Sequence, residues 1–286
     1  MRTRLMLSTA ALLLAFTGVA RAQQTTAATV TTPTVTGQFD IGFRSSSVDG
    51  DKARWERYRD LRNGVTTWGD FGQDRDNYRL RFRVSNAGYH DQKYVMDYNL
   101  YGKLKFTASW DGIPLNYSYD TKTPWQDTGN NVWTLSPAKR LLVQNKTIPA
   151  PYIGIGSTAA DFTKASIYNT IAQPFSIQAR RDVLNLGLKY KLTSELGLNL
   201  SFTSTHKTGN QPYGASFAFN NGNELPMSLD NRTNDLSAAL EWNRSTDGML
   251  RVAYDASWFK NAYTSLTWDN PLRATDYNTG AKVVSV

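Results

Sequence analysis

Apolar and polar residues alternate strictly in six segments of the chain. A period of two is the pattern of strands that have one apolar face and one polar face, and amphipathic helices of convincing length are lacking. The sequence therefore predicts an all-β protein. The alternating segments are residues 78–84, 103–110, 184–192, 196–203, 235–242 and 250–258.

The length and the aromatic ends of these segments favour a membrane barrel. Each segment is close to the length of about ten residues that crosses a bilayer as a tilted strand. Several end in an aromatic residue on the apolar side, as in an interfacial girdle: Trp110, Tyr190, Trp242 and Trp258. Strands of a soluble β-sandwich also alternate, but they are usually shorter. We predict an antiparallel, transmembrane, outer-membrane β-barrel whose lipid face includes Leu186, Leu188, Leu198, Leu200, Leu240 and Val252.

Connection lengths support the same architecture. Residues 101–102, 193–195 and 244–248 read as tight turns, whereas residues 111–178 and 207–228 read as long connections. If residues 37–44 form the first upward strand, the tight turns are periplasmic and the long connections extracellular, as outer-membrane barrels arrange them. Residues 63–75 would then form a periplasmic connection that is longer than this rule prefers.

The N-terminus has the pattern of an export signal. Arg2 and Arg4 precede an apolar stretch over residues 5–16, and Ala20 and Ala22 supply the small residues of a cleavage site. The apolar stretch is too short for a membrane-spanning helix. We predict a cleaved signal peptide over residues 1–22, a flexible segment over 23–36 and barrel over 37–286, with the mature protein in the cell outer membrane.

The composition excludes several kinds of chemistry. The chain has no cysteine, so disulfides, thiolate zinc sites, iron–sulfur clusters and thioether-linked haem are ruled out. The two histidines, His90 and His206, read as surface-loop residues, and His206 has no consistent acid partner nearby in the sequence. The formal net charge of +8 forms no compact basic patch, which gives no support for nucleic-acid binding. We expect no enzyme activity, no metal and no cofactor in this chain.

A series of short motifs, in order along the chain, resembles the MtrB/PioB family of outer-membrane barrels associated with decahaem cytochromes. Residues 55–64 are similar to the family's early Tyr–Asp–Gly element, 86–94 to its Gly–Asp–Gln–Tyr hairpin, and 110–114 to its aromatic–Asp–x–x–Pro strand exit. Further matches lie at 180–182, 223–226, 230–235 and 257–261, and the run at 266–271 follows them. The Cys-x-x-Cys of some members is missing, and the resemblance covers only the N-terminal part of the longer family chains.

The resemblance implies a function. The barrel would surround a periplasmic decahaem c-type cytochrome and hold it in position for electron transfer across the outer membrane, with haem only on the partner and lipid around the barrel. A porin for small solutes shares the exterior pattern and remains an alternative. A soluble periplasmic protein that binds carbohydrate through its aromatic residues is a second alternative.

Basic residues on the polar side of the strands are the candidate partner-binding residues. Arg79, Arg81 and Arg83 form one row, and Lys103 and Lys105 lie on another strand; Lys189, Lys191 and Arg251 are placed similarly elsewhere. Adjacent like charges repel unless something acidic compensates them. The compensation could come from carboxylates of neighbouring strands, or from an acidic surface and the haem propionates of a partner, which Arg binds in bidentate fashion.

The chain end also gives an expectation about completeness. Residues 281–286 contain no aromatic residue of the kind that usually closes such barrels, and we count about ten strands, far fewer than a lumen of cytochrome size requires. The sequence therefore predicts an incomplete barrel, with an open edge near Trp268 or near Gly37.

Overall fold

A computed structural model describes residues 34–139, 171–216, 222–244, 247–270 and 281–285. The predicted signal peptide and residues 23–33 lie outside these described residues. Within them, strands dominate, and the one helix that we name, α1, is the single turn Lys52–Trp55, whose first turn is capped by the Asp51 side chain. None of the described helices is long and apolar enough to cross a membrane.

Nine antiparallel strands form one sheet, in the order β1-β2-β3-β4-β5-β8-β9-β10-β11. This architecture confirms the predicted antiparallel all-β fold. The strands are β1 Thr34–Arg44, β2 Gly64–Asp74, β3 Tyr78–Ser85, β4 Lys93–Leu100, β5 Leu104–Thr123, β8 Gln173–Lys191, β9 Leu196–Ser216, β10 Gly222–Arg244 and β11 Gly248–Asn261.

The register of the sheet separates an apolar face from a polar face. Leu188 lies opposite Leu200, and Leu240 lies opposite both Leu198 and Val252 on its two neighbouring strands. Leu186, two residues before Leu188, completes the set of six predicted lipid-facing residues. The structure thus places all six on one face, which we call the apolar face.

Large side chains of the apolar face are exposed on the outer strands. The exposed fraction is 69% for Ile41 and 77% for Phe43 on β1, and 61% for Val252 on β11. Contiguous exposed apolar surface of this kind marks contact with a membrane or a partner. The nine strands therefore form a sheet with one exposed apolar face and one polar face.

Short connections lie at one end of the sheet and long ones at the other. The predicted tight turns are confirmed: residues 101–103 join β4 to β5, residues 192–195 join β8 to β9, and Arg244 at the end of β10 pairs with Gly248 at the start of β11. The prediction that residues 63–75 form a connection is wrong, because β2 occupies Gly64–Asp74. Only residues 75–77 connect β2 to β3. We call this the short-turn end.

The two long connections are shorter than predicted because the strands continue past their alternating segments. β5 runs to Thr123 and β8 begins at Gln173, so residues 111–123 and 173–178 of the first predicted connection are strand. β9 and β10 likewise absorb most of 207–228. The motifs at 110–114 and 180–182, expected at the end and the start of strands, therefore lie inside β5 and β8.

A second sheet of four short strands has the order β13-β12-β7-β6. β6 Gln126–Asp127 and β7 Val132–Thr134 come from the β5–β8 connection, whereas β12 Ser265–Asp269 and β13 Ala281–Ser285 follow β11. β7 and β12 pair in parallel, with Trp133 opposite Trp268.

The nine-stranded sheet is open in the described part of the chain, with β1 and β11 as its edge strands. The edge expected near Gly37 is confirmed, since Gly37 lies in β1. The other edge is β11 and does not lie near Trp268, because Trp268 belongs to the second sheet.

Candidate partner-binding surface

The predicted arginine row lies on the polar face of β3, and each of its members meets an aspartate. Arg79 Nε is 3.3 Å from Asp74 Oδ2, and Arg81 pairs with Asp70, both aspartates being on β2. On the other side, Arg83 Nη2 lies 2.9 Å from Asp97 Oδ2 of β4. Carboxylates of neighbouring strands thus compensate the arginine row, as one of the two explanations in the sequence analysis requires.

These ion pairs leave the arginines accessible. The side chains of Arg79, Arg81 and Arg83 are 64%, 51% and 43% exposed, and pairs with this exposure contribute little to stability. A guanidinium has five N–H donors, so one aspartate does not saturate it. Contact between this row and a partner stays a prediction.

Four lysines lie close together at the short-turn end of β5 and β8. Lys105 lies directly opposite Lys189. Two residues further towards the turns, the Lys191 backbone N donates to the Lys103 carbonyl at 2.9 Å, which continues the ladder. All four side chains are exposed. We call Lys103, Lys105, Lys189 and Lys191 the lysine cluster; the prediction contained the first two as candidate residues and gave the other two only as polar-face residues.

Carboxylates at the short-turn end of the sheet are engaged by other groups. Asp74 pairs with Arg79 and accepts a hydrogen bond from the Tyr101 hydroxyl at 2.7 Å, which raises the pKa of Tyr101, a residue of the short turn. Glu195 accepts from the Trp242 indole at 3.1 Å. Glu241 is 3.3 Å from Arg251. Among the described residues, no carboxylate forms an ion pair with any of the four lysines.

The opposite end of the polar face is covered by a hydrophobic cluster that we call the tryptophan cap. Its buried members are Trp125, Trp133, Leu135, Leu225, Leu266 and Trp268, and Phe175, Tyr213, Ala215 and Met227 pack against them. Odd-numbered residues of β8, β9 and β10, such as Lys189 and Asp235, lie on the polar face. The residues that these three strands contribute to the cap also have odd numbers. The cap therefore covers the polar face at the long-connection end.

Polar contacts hold the tryptophan cap together. Asp269 accepts hydrogen bonds from the Trp125 indole, at its carbonyl at 3.0 Å, and from the Leu135 backbone N, at its carboxylate at 2.7 Å. Asn131 donates to the Ser265 carbonyl at 3.0 Å and accepts from the Ser228 backbone N at 2.9 Å. These bonds link segments far apart in the sequence, and the alternation of apolar and polar residues does not predict them.

The first long connection, residues 45–63, packs against the part of β5 that extends past the alternating segment. Buried Asn116 donates to the Glu56 carbonyl at 2.6 Å, and its backbone N donates to the Arg57 carbonyl at 2.9 Å. The Tyr119 hydroxyl donates to Glu56 Oε2 at 2.8 Å. Burial, followed by this hydrogen bond, raises the pKa of Tyr119 well above its usual value. Tyr119 lies outside the apolar band of β5.

Both histidines have acidic neighbours, which corrects the expectation for His206. His206 lies in β9, not in a loop, and its Nε2 is 2.8 Å from Asp230 Oδ1 across the β9–β10 ladder. His90 lies in the β3–β4 connection as expected, 3.7 Å from Asp60 Oδ2. In the described ranges, no group of three or more His, Asp or Glu residues is arranged to hold a metal ion.

Residues 47–285 match the profile of a protein family described as "Putative outer membrane beta-barrel porin, MtrB/PioB". The chain belongs to the MtrB/PioB family. This membership confirms the resemblance carried by the sequence motifs and agrees with the two-faced antiparallel sheet. MtrB/PioB proteins are outer-membrane β-barrels, so the apolar face of the nine strands is a lipid-facing surface.

Other comparisons add little to the family assignment. No curated protein matches the chain. One matching solved structure, described as "CymD monoaromatic hydrocarbon channel", is 13% identical, with 82% of this chain and 75% of that chain covered and a TM-score of 0.22. A TM-score this low supports no conclusion about this MtrB/PioB chain.

Proposed function

We propose that this chain contributes to an outer-membrane barrel that surrounds a periplasmic decahaem c-type cytochrome and positions it for electron transfer across the membrane. The barrel itself carries no electrons, since a chain without cysteine has no means of attaching c-type haem through thioether bonds. Its role is to insulate the haem protein from lipid, where propionates and polar backbone would be unsatisfied.

The observation that carries this proposal is the charged polar face of the sheet. Its arginine row and lysine cluster lie on strands whose other face is apolar and exposed, so they face the barrel interior when the apolar face contacts lipid. Arg79, Arg81, Arg83, Lys103 and Lys105 supply charge suited to an acidic protein surface and to haem propionates.

A porin for small solutes is the second candidate, and the description of the family favours it. A porin also has a polar interior, and mixed charges on that wall are common to both. The two functions differ in what fills the interior, which is protein in one case and water in the other. Membership in a family of outer-membrane barrels removes the soluble carbohydrate-binding alternative.

Co-purification of haem separates the two candidates. The tagged chain is produced in its own host, extracted from outer membranes in mild detergent and sized by gel filtration, with haem followed by its Soret absorbance. We expect haem to elute with the tagged chain, and to be lost at high salt because charges contribute to retention. Elution without haem, together with ion conductance of the purified protein in planar bilayers, would identify a porin.

The arginine row has its own variant in the same preparation. Changing Arg79, Arg81 and Arg83 together to Gln removes three positive charges from one strand face. If the row contacts the cytochrome, the variant retains less haem, and the remaining haem is less sensitive to salt. Unchanged retention with unchanged salt sensitivity would mean that the row only pairs with its aspartates.

A further inference from the structure

Unlike the arginine row, the lysine cluster has no carboxylate partner among the described residues, and we propose that it is a docking site for a carboxylate-rich protein surface. This inference rests on the proposed function, because it takes the protein that fills the barrel to be the occupant. It adds Lys189 and Lys191 to the five candidate partner-binding residues, and it moves the centre of the site from β3 to the ends of β5 and β8.

Repulsion within the cluster is the first observation. Like charges directly opposite each other on adjacent strands are destabilising, and Lys105 and Lys189 are such a pair. The ladder continues to Lys103 and Lys191 through a backbone hydrogen bond, so two like-charged pairs follow one another. An anionic surface placed over the four ammonium groups relieves this repulsion.

The contrast with the arginine row is the second observation. Arg79, Arg81 and Arg83 each have an aspartate on a neighbouring strand, so the fold has a way to neutralise basic residues on this face. Asp97, which lies diagonal to Lys105 across the β4–β5 ladder, pairs with Arg83. Glu195, in the turn that follows Lys191, accepts from the Trp242 indole. The wall of a porin requires only hydrophilic side chains, so it does not account for four adjacent lysines without carboxylate partners.

Accessibility is the third observation. The tryptophan cap covers the polar face at the long-connection end, whereas the lysine cluster lies at the short-turn end, which is periplasmic in outer-membrane barrels. The cluster is therefore reached from the compartment in which an exported soluble partner arrives. Lysines on flexible stems, with no fixed partners, suit a broad acidic surface better than one small, precisely oriented anion.

The charge pair Lys105→Gln plus Lys189→Gln tests the site without requiring the cytochrome. The folded chain in detergent micelles is titrated into fluorescent poly-L-glutamate, and binding is followed by anisotropy at several salt concentrations. We expect the Kd of the variant to rise at least tenfold and its salt dependence to weaken. The matched control is Lys122→Gln plus Lys260→Gln, which removes two exposed lysines from the other end of β5 and from β11; its Kd should change less than twofold.

Three outcomes would overturn the inference. The first is an unchanged Kd for the K105Q/K189Q variant, and the second is an equal rise in the K122Q/K260Q control. The third is displacement of poly-L-glutamate by inorganic phosphate at the same concentration of charges, which would make the cluster a small-anion site of a porin.

The haem measurement distinguishes failure of this inference from failure of the proposed function. If native protein retains haem and the K105Q/K189Q variant retains it equally at every salt concentration, the cluster is not the docking site although the sheath function stands. If native protein carries no haem while poly-L-glutamate still distinguishes variant from control, the cytochrome is the wrong partner and the preference for an acidic protein remains.

Discussion

Arginine placed along the apolar face of β9 gives the sharpest test of the membrane-facing assignment. At the short-turn end, Leu196 lies opposite Trp242, whose indole donates to Glu195, an arrangement typical of the water–lipid interface. A strand rises about 3.3 Å per residue and tilts by about 45°, so each residue advances about 2.3 Å across the membrane. Leu200 is then about 9 Å inside an apolar band about 25 Å tall.

This geometry predicts a depth profile. Leu200→Arg should cost about 2–4 kcal/mol of unfolding free energy, and Leu196→Arg at the interface about 0–1 kcal/mol. Leu198→Arg should fall between them. Ser201→Arg, the adjacent polar-face position opposite Ser237, is the matched control and should change stability by less than about 0.5 kcal/mol.

The measurement is guanidinium unfolding of the chain in phosphatidylcholine vesicles, followed by tryptophan fluorescence. Two results would refute the reasoning. Equal costs for Leu200→Arg and Ser201→Arg would mean that the two faces do not differ in environment. Equal costs for Leu196→Arg and Leu200→Arg would mean that depth is irrelevant, so that the apolar face contacts protein and not lipid.

Three further predictions concern contacts outside the apolar band. Asn116→Asp replaces the buried donor to the Glu56 carbonyl by an acceptor, so it should cost about 1–3 kcal/mol and speed tryptic cleavage within residues 54–59, whereas unchanged cleavage would contradict the role of this bond. Because the folded-state pKa of Tyr119 is raised, the contribution of Tyr119 to the free energy of unfolding is complete below the ordinary tyrosine pKa of about 10 and is lost as the pH rises through the higher folded value. Ultraviolet titration should show one tyrosine that ionises at higher pH than the others, and Tyr119→Phe should abolish this signal. Gly209→Ala should destabilise by about 1–3 kcal/mol, since Gly209 has a φ of +109° and an added Cβ would lie 2.3 Å from the Gln178 carbonyl oxygen; a neutral effect in the same guanidinium assay would count against the described backbone there.

The strands that cross the apolar band were predictable from the sequence because their two faces meet different solvents. Residues 78–84 alternate without exception and residues 236–242 with the exception of Ala239, and both ranges lie in strands of the main sheet. β2 escaped prediction because Gly69 and Gly72 interrupt its apolar and polar positions. An added Cβ at Gly69 would lie 2.9 Å from the Phe71 ring, so close packing of this ring explains the glycine.

Contacts between distant segments were not predictable from local pattern. Lys105 and Lys189 could each be placed on a polar face, but a long connection separates their strands, and the register that opposes them is set by the whole β5–β8 ladder. The His206–Asp230 pair depends on the β9–β10 register in the same way. Apart from Leu225 of β10, the buried members of the tryptophan cap lie in or beside strands of two to five residues, which are too short to show a period.

The tryptophan cap also has a consequence for the order of folding. Its hydrogen bond between Leu135 and Asp269 joins residues 134 positions apart, whereas most neighbours in the main sheet are consecutive hairpins. Local hairpins form early and contacts that close long loops form late, because the entropy of loop closure must be overcome first. We therefore expect strand addition to run ahead of the cap, which cannot assemble before β11 is complete and β12 follows. During assembly, the polar face of the growing sheet stays uncovered at both ends. Its long-connection end is covered only after the last described strand of the main sheet is in place.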